Sequence, residues 1–156
     1  MVKRIILPAR KKLISSVRTL NSKTVSVGYF ADQGTHEDSG LSYPALMYIQ
    51  EVKGVRSKSG LVHRRLFEMT MNSQRTDITQ QLRQNVKANF LRRPNKILSL
   101  FGQDMQKRLK DGFGDTSLLP ANAASTVRSK GKNSPLVDSG SLRDKLTYRV
   151  RAKTNE

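Results

Sequence analysis

Two stretches in the middle of the chain leave little freedom in what it can fold into. Ile78, Leu82, Val86 and Phe90 recur at four-residue spacing, and Ile97, Phe101, Met105, Leu109 and Phe113 do the same further on. Such repeats mark helices that are apolar on one face only, over about 75–90 and 95–113. Arg92-Arg93-Pro94 breaks the chain tightly between them. Each stripe must be buried, so the two helices are expected to pair as a hairpin or to pack on one face of a sheet.

Strand patterns lie on either side of this helical centre. Thr24-Val25-Ser26-Val27-Gly28-Tyr29-Phe30 alternates, with Gly28 expected at a bulge or a close backbone approach. Near the other end Leu146, Tyr148 and Val150 alternate with Thr147, Arg149 and Arg151, the pattern of a half-buried strand. The expected fold is α+β: a small antiparallel or mixed sheet holding the first and last strands, packed by the two long amphipathic helices. A chain of 156 residues is expected to form a single domain over 1–156.

The rest of the chain reads as shorter elements and loops. A basic N-terminal helix is expected over 8–21, with Pro8 in its first turn, Ala9, Leu13, Val17 and Leu20 on one face, and Arg10, Lys11 and Lys12 among its charges. Its apolar face has no large aromatic ring, which favours packing on its own domain or on a neighbouring subunit over lying on a membrane surface. A short helix is expected over Tyr43–Val52 with Ala45, Tyr48, Ile49 and Val52 inward, and another within Leu118–Lys130. Loops are expected at about 31–41, 55–60 and 131–134, the last two ordering only on assembly.

Charge narrows the classes of function. The chain has 29 basic and 12 acidic residues, a formal net charge of +17, and its first acid is Asp32. A second basic stretch runs from Arg128 to Lys153. Polyanions bind such a surface readily, so a basic nucleic-acid-binding protein is one reading. It lacks a stacking aromatic motif, and the second long helix exposes Asp104 and Asp111, which would face phosphates unfavourably.

Catalytic chemistry finds no support. Cysteine is absent, which removes thiolate nucleophiles, thiolate metal sites and disulfides together. Asp32, His36, Glu37 and Asp38 are the one cluster of metal-ligand types, and without a binding-loop signature they read as a solvated acidic loop. With two histidines, His36 and His63, and no nucleophile motif, acid–base or triad chemistry is unsupported. Gly112-Phe113-Gly114 lacks the flanks of a phosphate loop. An enzyme is the least expected class, with no catalytic residue, cofactor or metal. No segment approaches the ~20 apolar residues of a membrane span, and no membrane partner is expected.

The block Pro135-Leu136-Val137-Asp138-Ser139-Gly140-Ser141-Leu142-Arg143 leads into the last strand. Pro135 stops what precedes it, Asp138, Ser139 and Gly140 make a turn, and Leu142 anchors a short helical or turn segment. This block resembles the C-terminal signature of a tailed-phage virion morphogenesis family, the neck, tail-completion or minor tail proteins of the head–tail connector. Val62-His63-Arg64-Arg65-Leu66-Phe67 is similar to that family's Ile-Pro-x-Arg-Pro-Phe element, with His63 and Leu66 standing where the pattern has prolines. Leu119-Pro120 through Thr126 to Lys130 is similar to its Pro-Leu, Thr and Lys spacing.

The resemblance implies a non-enzymatic structural protein of the virion, assembled in the host cytoplasm and placed at the head–tail junction. It implies a homo-oligomeric ring, commonly six-fold, between a head-side connector or stopper and the tail terminator or tail tube, with non-specific DNA contact in the lumen. The expected assembly residues are Arg10, Lys11, Lys12, Arg56, Lys58, Arg64, Arg65, Arg149, Arg151 and Lys153. The turn residues of the family pattern are Pro135, Leu136, Asp138, Ser139, Gly140, Leu142 and Arg143.

Overall fold

The computed structural model describes residues 3–57 and 60–153. In chain order the elements are α1 (Lys3–Asn21), β1 (Lys23–Gly28), α2 (Tyr43–Tyr48), β2 (Val55–Ser57), β3 (Gly60–Val62), α3 (Leu66–Ser73), α4 (Arg75–Asn89), α5 (Pro94–Asp111), α6 (Ala124–Lys130), α7 (Ser141–Lys145) and β4 (Thr147–Ala152). A turn of 3-10 helix, Ala31–Gln33, follows β1, and a π-helical turn, Ile49–Lys53, extends α2. The fold is α+β, as expected. β1 pairs with β4 and β2 with β3. The Lys153 amide donates to the Ser22 carbonyl at 2.8 Å, so the end of β4 lies beside the start of β1 and the pair is antiparallel.

Contacts divide the chain into two compact units, neither of them a continuous stretch. The first holds α1 and the chain as far as Val27, Thr76–Met105, and the chain from Tyr148. Within it Ile78, Ile97 and Met105 are buried, on the faces that their spacing marks. Gly102 of α5 abuts the Tyr148 ring, and the Gln103 Nε2 donates to the Tyr148 hydroxyl at 3.1 Å. Burial along β4 is less alternating than expected: Arg149 is half-buried like its neighbours Tyr148 and Val150, and only the last two residues are exposed.

The N-terminal helix differs from expectation in both start and rotation. It begins at Lys3, so Pro8 lies inside it, where the ring forfeits one backbone bond. The residue turned inward is Ser16, 3 % exposed, while Leu13 is 47 % and Val17 50 % exposed. Ala9 is also exposed and Leu20 half-buried. Ser16 is thus the side chain covered, and Leu13, Ile14 and Val17 are left exposed.

The second unit comprises Gly28–Arg75 and Gln106–Thr147. Its core is aliphatic, built on Leu66, Leu109, Phe113, Leu119, Leu142 and Leu146, with Thr70 and Pro135 fully buried. Polar side chains fasten loops to it: Tyr29 donates to the Leu142 carbonyl at 2.7 Å, the Gln106 amide to the Leu146 carbonyl at 3.0 Å, and Arg143 Nε to the Lys110 carbonyl at 3.1 Å. Gly28 has φ 148°, and a Cβ there would make only ordinary contact with the Phe67 ring at 3.7 Å, so its backbone angle, not the close backbone approach expected, calls for glycine.

Three local expectations are corrected in this unit. In α2, Tyr43 and Met47 are buried while Tyr48 and Val52 are exposed. The rotation is set by Tyr43, which stacks on Tyr29 at 6.4 Å and meets the edge of His36 at 6.0 Å. The expected loop at 55–60 is, for its described residues, an antiparallel hairpin with Val55↔Val62, Arg56↔Leu61 and Ser57↔Gly60 in register. Gly54, at φ 77°, turns the chain into it so tightly that a Cβ there would lie 2.8 Å from Leu61 Cγ. A helix, α3, occupies Leu66–Ser73, for which no element was expected. Its first amides, Phe67 and Glu68, donate to the Glu51 carboxylate at 3.2 and 3.0 Å, so its N-terminal cap comes from a distant part of the chain.

Candidate functional site

A cavity of about 1140 Å³ opens within the second unit, walled by four separate segments and by His36 from the loop after β1. Leu46 and Gln50 come from α2 and the turn after it, Val55 to Ser57 and Val62 from the hairpin, 121–130 from α6 and its approach, and 136–142 from the turn before α7. Leu46, Val55, Val62, Leu136, Val137 and Leu142 give it an aliphatic lining. Among the described residues, Arg56, Arg64, Arg128 and Lys130 bring four cations to it, and Asp138 is the one carboxylate on the wall.

Arg64 is the most constrained of these groups. Its backbone amide donates to the Gln50 carbonyl at 2.9 Å, and its terminal nitrogens donate to Gln50 Oε1 at 3.3 Å and Asn122 Oδ1 at 3.2 Å. All these acceptors are neutral and no ion pair is made to it among the described residues, and burial pulls the guanidinium below its ordinary pKa. Its Nε is buried without an acceptor, as is Asn122 Nδ2 beside it. Two adjacent buried donors left unmatched are an expensive arrangement. Asn122 is itself held by its backbone amide, which donates to Asn133 Oδ1 at 2.9 Å. That bond ties the approach to α6 to the loop at 131–134.

The far wall is the turn at 135–143. Pro135 is fully buried and anchors it, and the next residue, Leu136, takes φ 61°, a conformation that a branched side chain adopts only under constraint. Gly140 at φ 89° opens α7. Lys130 pairs with Asp138 at 3.0 Å and also donates to the Val137 carbonyl at 3.4 Å. Arg56 and Arg128 are exposed at the rim and make no ion pair among the described residues.

The expected assembly residues do not converge on one site. Arg56 and Arg64 wall the cavity. Arg65 is exposed and pairs with Glu68 at 3.1 Å. Arg10, Lys11 and Lys12 are exposed on α1, and Arg149, Arg151 and Lys153 lie at the end of β4, all in the first unit. Lys58 lies outside the described residues. Of the turn block, Leu136, Asp138, Ser139, Gly140 and Leu142 wall the cavity, whereas Pro135 is in the core and Arg143 is bonded to α5. Arg128 was visible only as part of a basic stretch, Lys130 as part of that stretch and of the family spacing, and Asn122 and Gln50 carried no sequence signal. Their role follows from being brought beside Arg64.

Metal chemistry gains nothing from the geometry: no group of three or more His, Cys, Asp or Glu side chains that could hold an ion occurs among the described residues. His36 instead closes its own loop, with Ser39 Oγ at 3.2 Å from Nδ1 and Asp38 at 3.9 Å from Nε2. No described helix is long and apolar enough to cross a membrane. Searches against family models, curated proteins and solved structures return no match for this chain.

Proposed function

We propose that this chain is a non-enzymatic structural subunit of a tailed-phage head–tail interface, a neck or tail-completion protein that assembles as a ring between the head-side connector and the tail terminator or tail tube. The observation that carries the reading is the meeting of one stretch with two others, near each other, much further along the chain. Val62 and Arg64 come from the first, Thr126 and Lys130 from the second, and Leu136 to Leu142 from the third, and all wall one cavity. These are the stretches on which the family resemblance rests, so the similarity follows a spatial unit rather than three unrelated strings.

The outward stripe of α1 supports the same reading. Leu13, Ile14 and Val17 are exposed on a helix that also presents Arg10, Lys11 and Lys12. A ring made by heterologous contacts needs one surface of the subunit to cover a different surface of its neighbour, and an apolar stripe among cations is suited to that use. Subunits each carrying +17 repel one another, so acidic neighbours or a DNA end in the lumen would complete the assembly.

Size measurement after nuclease treatment tests the reading against a simple basic nucleic-acid-binding protein. The purified chain, freed of nucleic acid and held at moderate salt with its head-side partner, is expected to form a closed ring. A subunit that stays monomeric under those conditions and only binds nucleic acid, with a steep loss of affinity as salt rises, overturns it.

A further inference from the structure

We infer that the cavity of the second unit is a docking cleft for an acidic, extended peptide segment of a partner protein, one that carries carboxylates next to aliphatic side chains. The inference stands on the cleft itself and holds whether or not the chain belongs to a phage neck.

Three features define the occupant. The first is charge: Arg56, Arg64, Arg128 and Lys130 face a single carboxylate, Asp138, which Lys130 already engages at 3.0 Å. Arg56 and Arg128 make no ion pair among the described residues, and Arg64 leans on two neutral amide oxygens. An incoming carboxylate is a better acceptor than either amide, because charge-assisted bonds are shorter and stronger. The buried Arg64 Nε and Asn122 Nδ2 are donors still lacking an acceptor, which adds unmet donor capacity to the cationic side of the cleft.

The second feature is the aliphatic wall of Leu46, Val55, Val62, Leu136, Val137 and Leu142. A phosphate backbone gains nothing from such a surface, and base stacking needs aromatic faces. The one ring on the wall is His36, whose plane is committed edge-to-face to Tyr43 at 6.0 Å. Apolar side chains of a peptide do gain from it. The third feature is size: about 1140 Å³ exceeds the ~300–1,000 Å³ usual for small-molecule sites, which suits several residues of chain rather than a free anion. Leu136, held at φ 61°, is part of this wall, a place where local strain accompanies a recognition surface.

The test titrates the full chain with a capped octapeptide alternating aspartate and leucine, followed by amide-resolved NMR. Parallel arms use the same peptide with asparagine for aspartate, an oligothymidylate of similar length, and inorganic phosphate. The acidic peptide is expected to move resonances at 55–57, 62–64, 121–130 and 136–142 with saturation. The double variant R56Q/R128Q alters only exposed rim residues and is expected to weaken binding about tenfold while leaving the melting curve unchanged. The triple variant R10Q/K11Q/K12Q on α1 is expected to leave it unaltered. Equal binding of the asparagine peptide, equal loss in the α1 variant, or tighter binding of oligothymidylate or phosphate at the same resonances each overturns the proposal.

Discussion

Gly102 of α5 gives up its side chain to the ring of Tyr148 in β4: a Cβ built at 102 would lie within 2.8 Å of the Tyr148 Cγ. The helix and the terminal strand are thus locked together by an absence. The contact is to the root of the ring, not to a flexible tip, so there is no cheap way to make room. Gly102→Ala gains about 1 kcal/mol of helix propensity but forces an overpacked contact costing about 1–3 kcal/mol, and net destabilisation is expected in urea titrations. In a Tyr148→Ala background the same change is expected to become stabilising. Additive effects of the two substitutions would contradict the contact.

Tyr29 donates to the Leu142 carbonyl at 2.7 Å from a buried position, and burial raises its pKa far above the ordinary 10.0. Tyr29→Phe leaves that carbonyl unmatched and is expected to cost about 1–2 kcal/mol. The folded pKa is raised, so the folded state holds its proton while the unfolded chain loses one above the ordinary value. The stability difference between wild type and Tyr29→Phe is therefore full below that pH and shrinks above it by about 1.4 kcal/mol per pH unit. Guanidinium titrations across the alkaline range measure it, and a difference independent of pH would refute the assignment.

Glu51 supplies the N-terminal cap of α3 through the Phe67 and Glu68 amides, yet burial raises its pKa above the usual 4.5 in spite of those bonds. Glu51→Ala removes the cap and is expected to cost about 1 kcal/mol. Glu51→Gln keeps an acceptor without the buried charge. A raised folded pKa means a contribution that is full below 4.5 and is lost as pH rises through the folded value. Wild type is therefore expected to lose stability relative to Glu51→Gln between acid and neutral pH, as read by thermal melts over that range.

On α1, Leu13 and Val17 face outward and contribute nothing to the core of their own unit. The double variant L13D/V17D is expected to leave the melting temperature of the free chain unaltered and to abolish ring formation with the head-side partner, as read by size measurement. Assembly that survives the change would remove α1 from the interface.

Much of the scaffold was legible because its signals are local. The stripe of Ile97, Met105, Leu109 and Phe113 is buried as its spacing demands, Thr24 to Val27 alternates in burial as a strand should, and the first and last strands pair. The errors arose where a distant residue decides. Tyr29 rotates α2 through its stack with Tyr43, and Glu51 caps a helix that Arg65 at its N-cap leaves uncapped. On α1 it is Ser16 that is buried while Leu13 is exposed, so the apolar pattern alone did not set the helix's inward face. The hairpin at 55–62 is too short to show alternation, and its form depends on Gly54. The cavity was least legible of all, since Arg64, Asn122 and Gln50 meet only through chain folding.

The most direct measurement is high-resolution imaging of the head–tail junction in purified phage particles that encode this chain. The account predicts a ring of density for it between the head connector and the tail, with the α1 stripe covered by a neighbour. Particles whose junction is complete without this chain would contradict it.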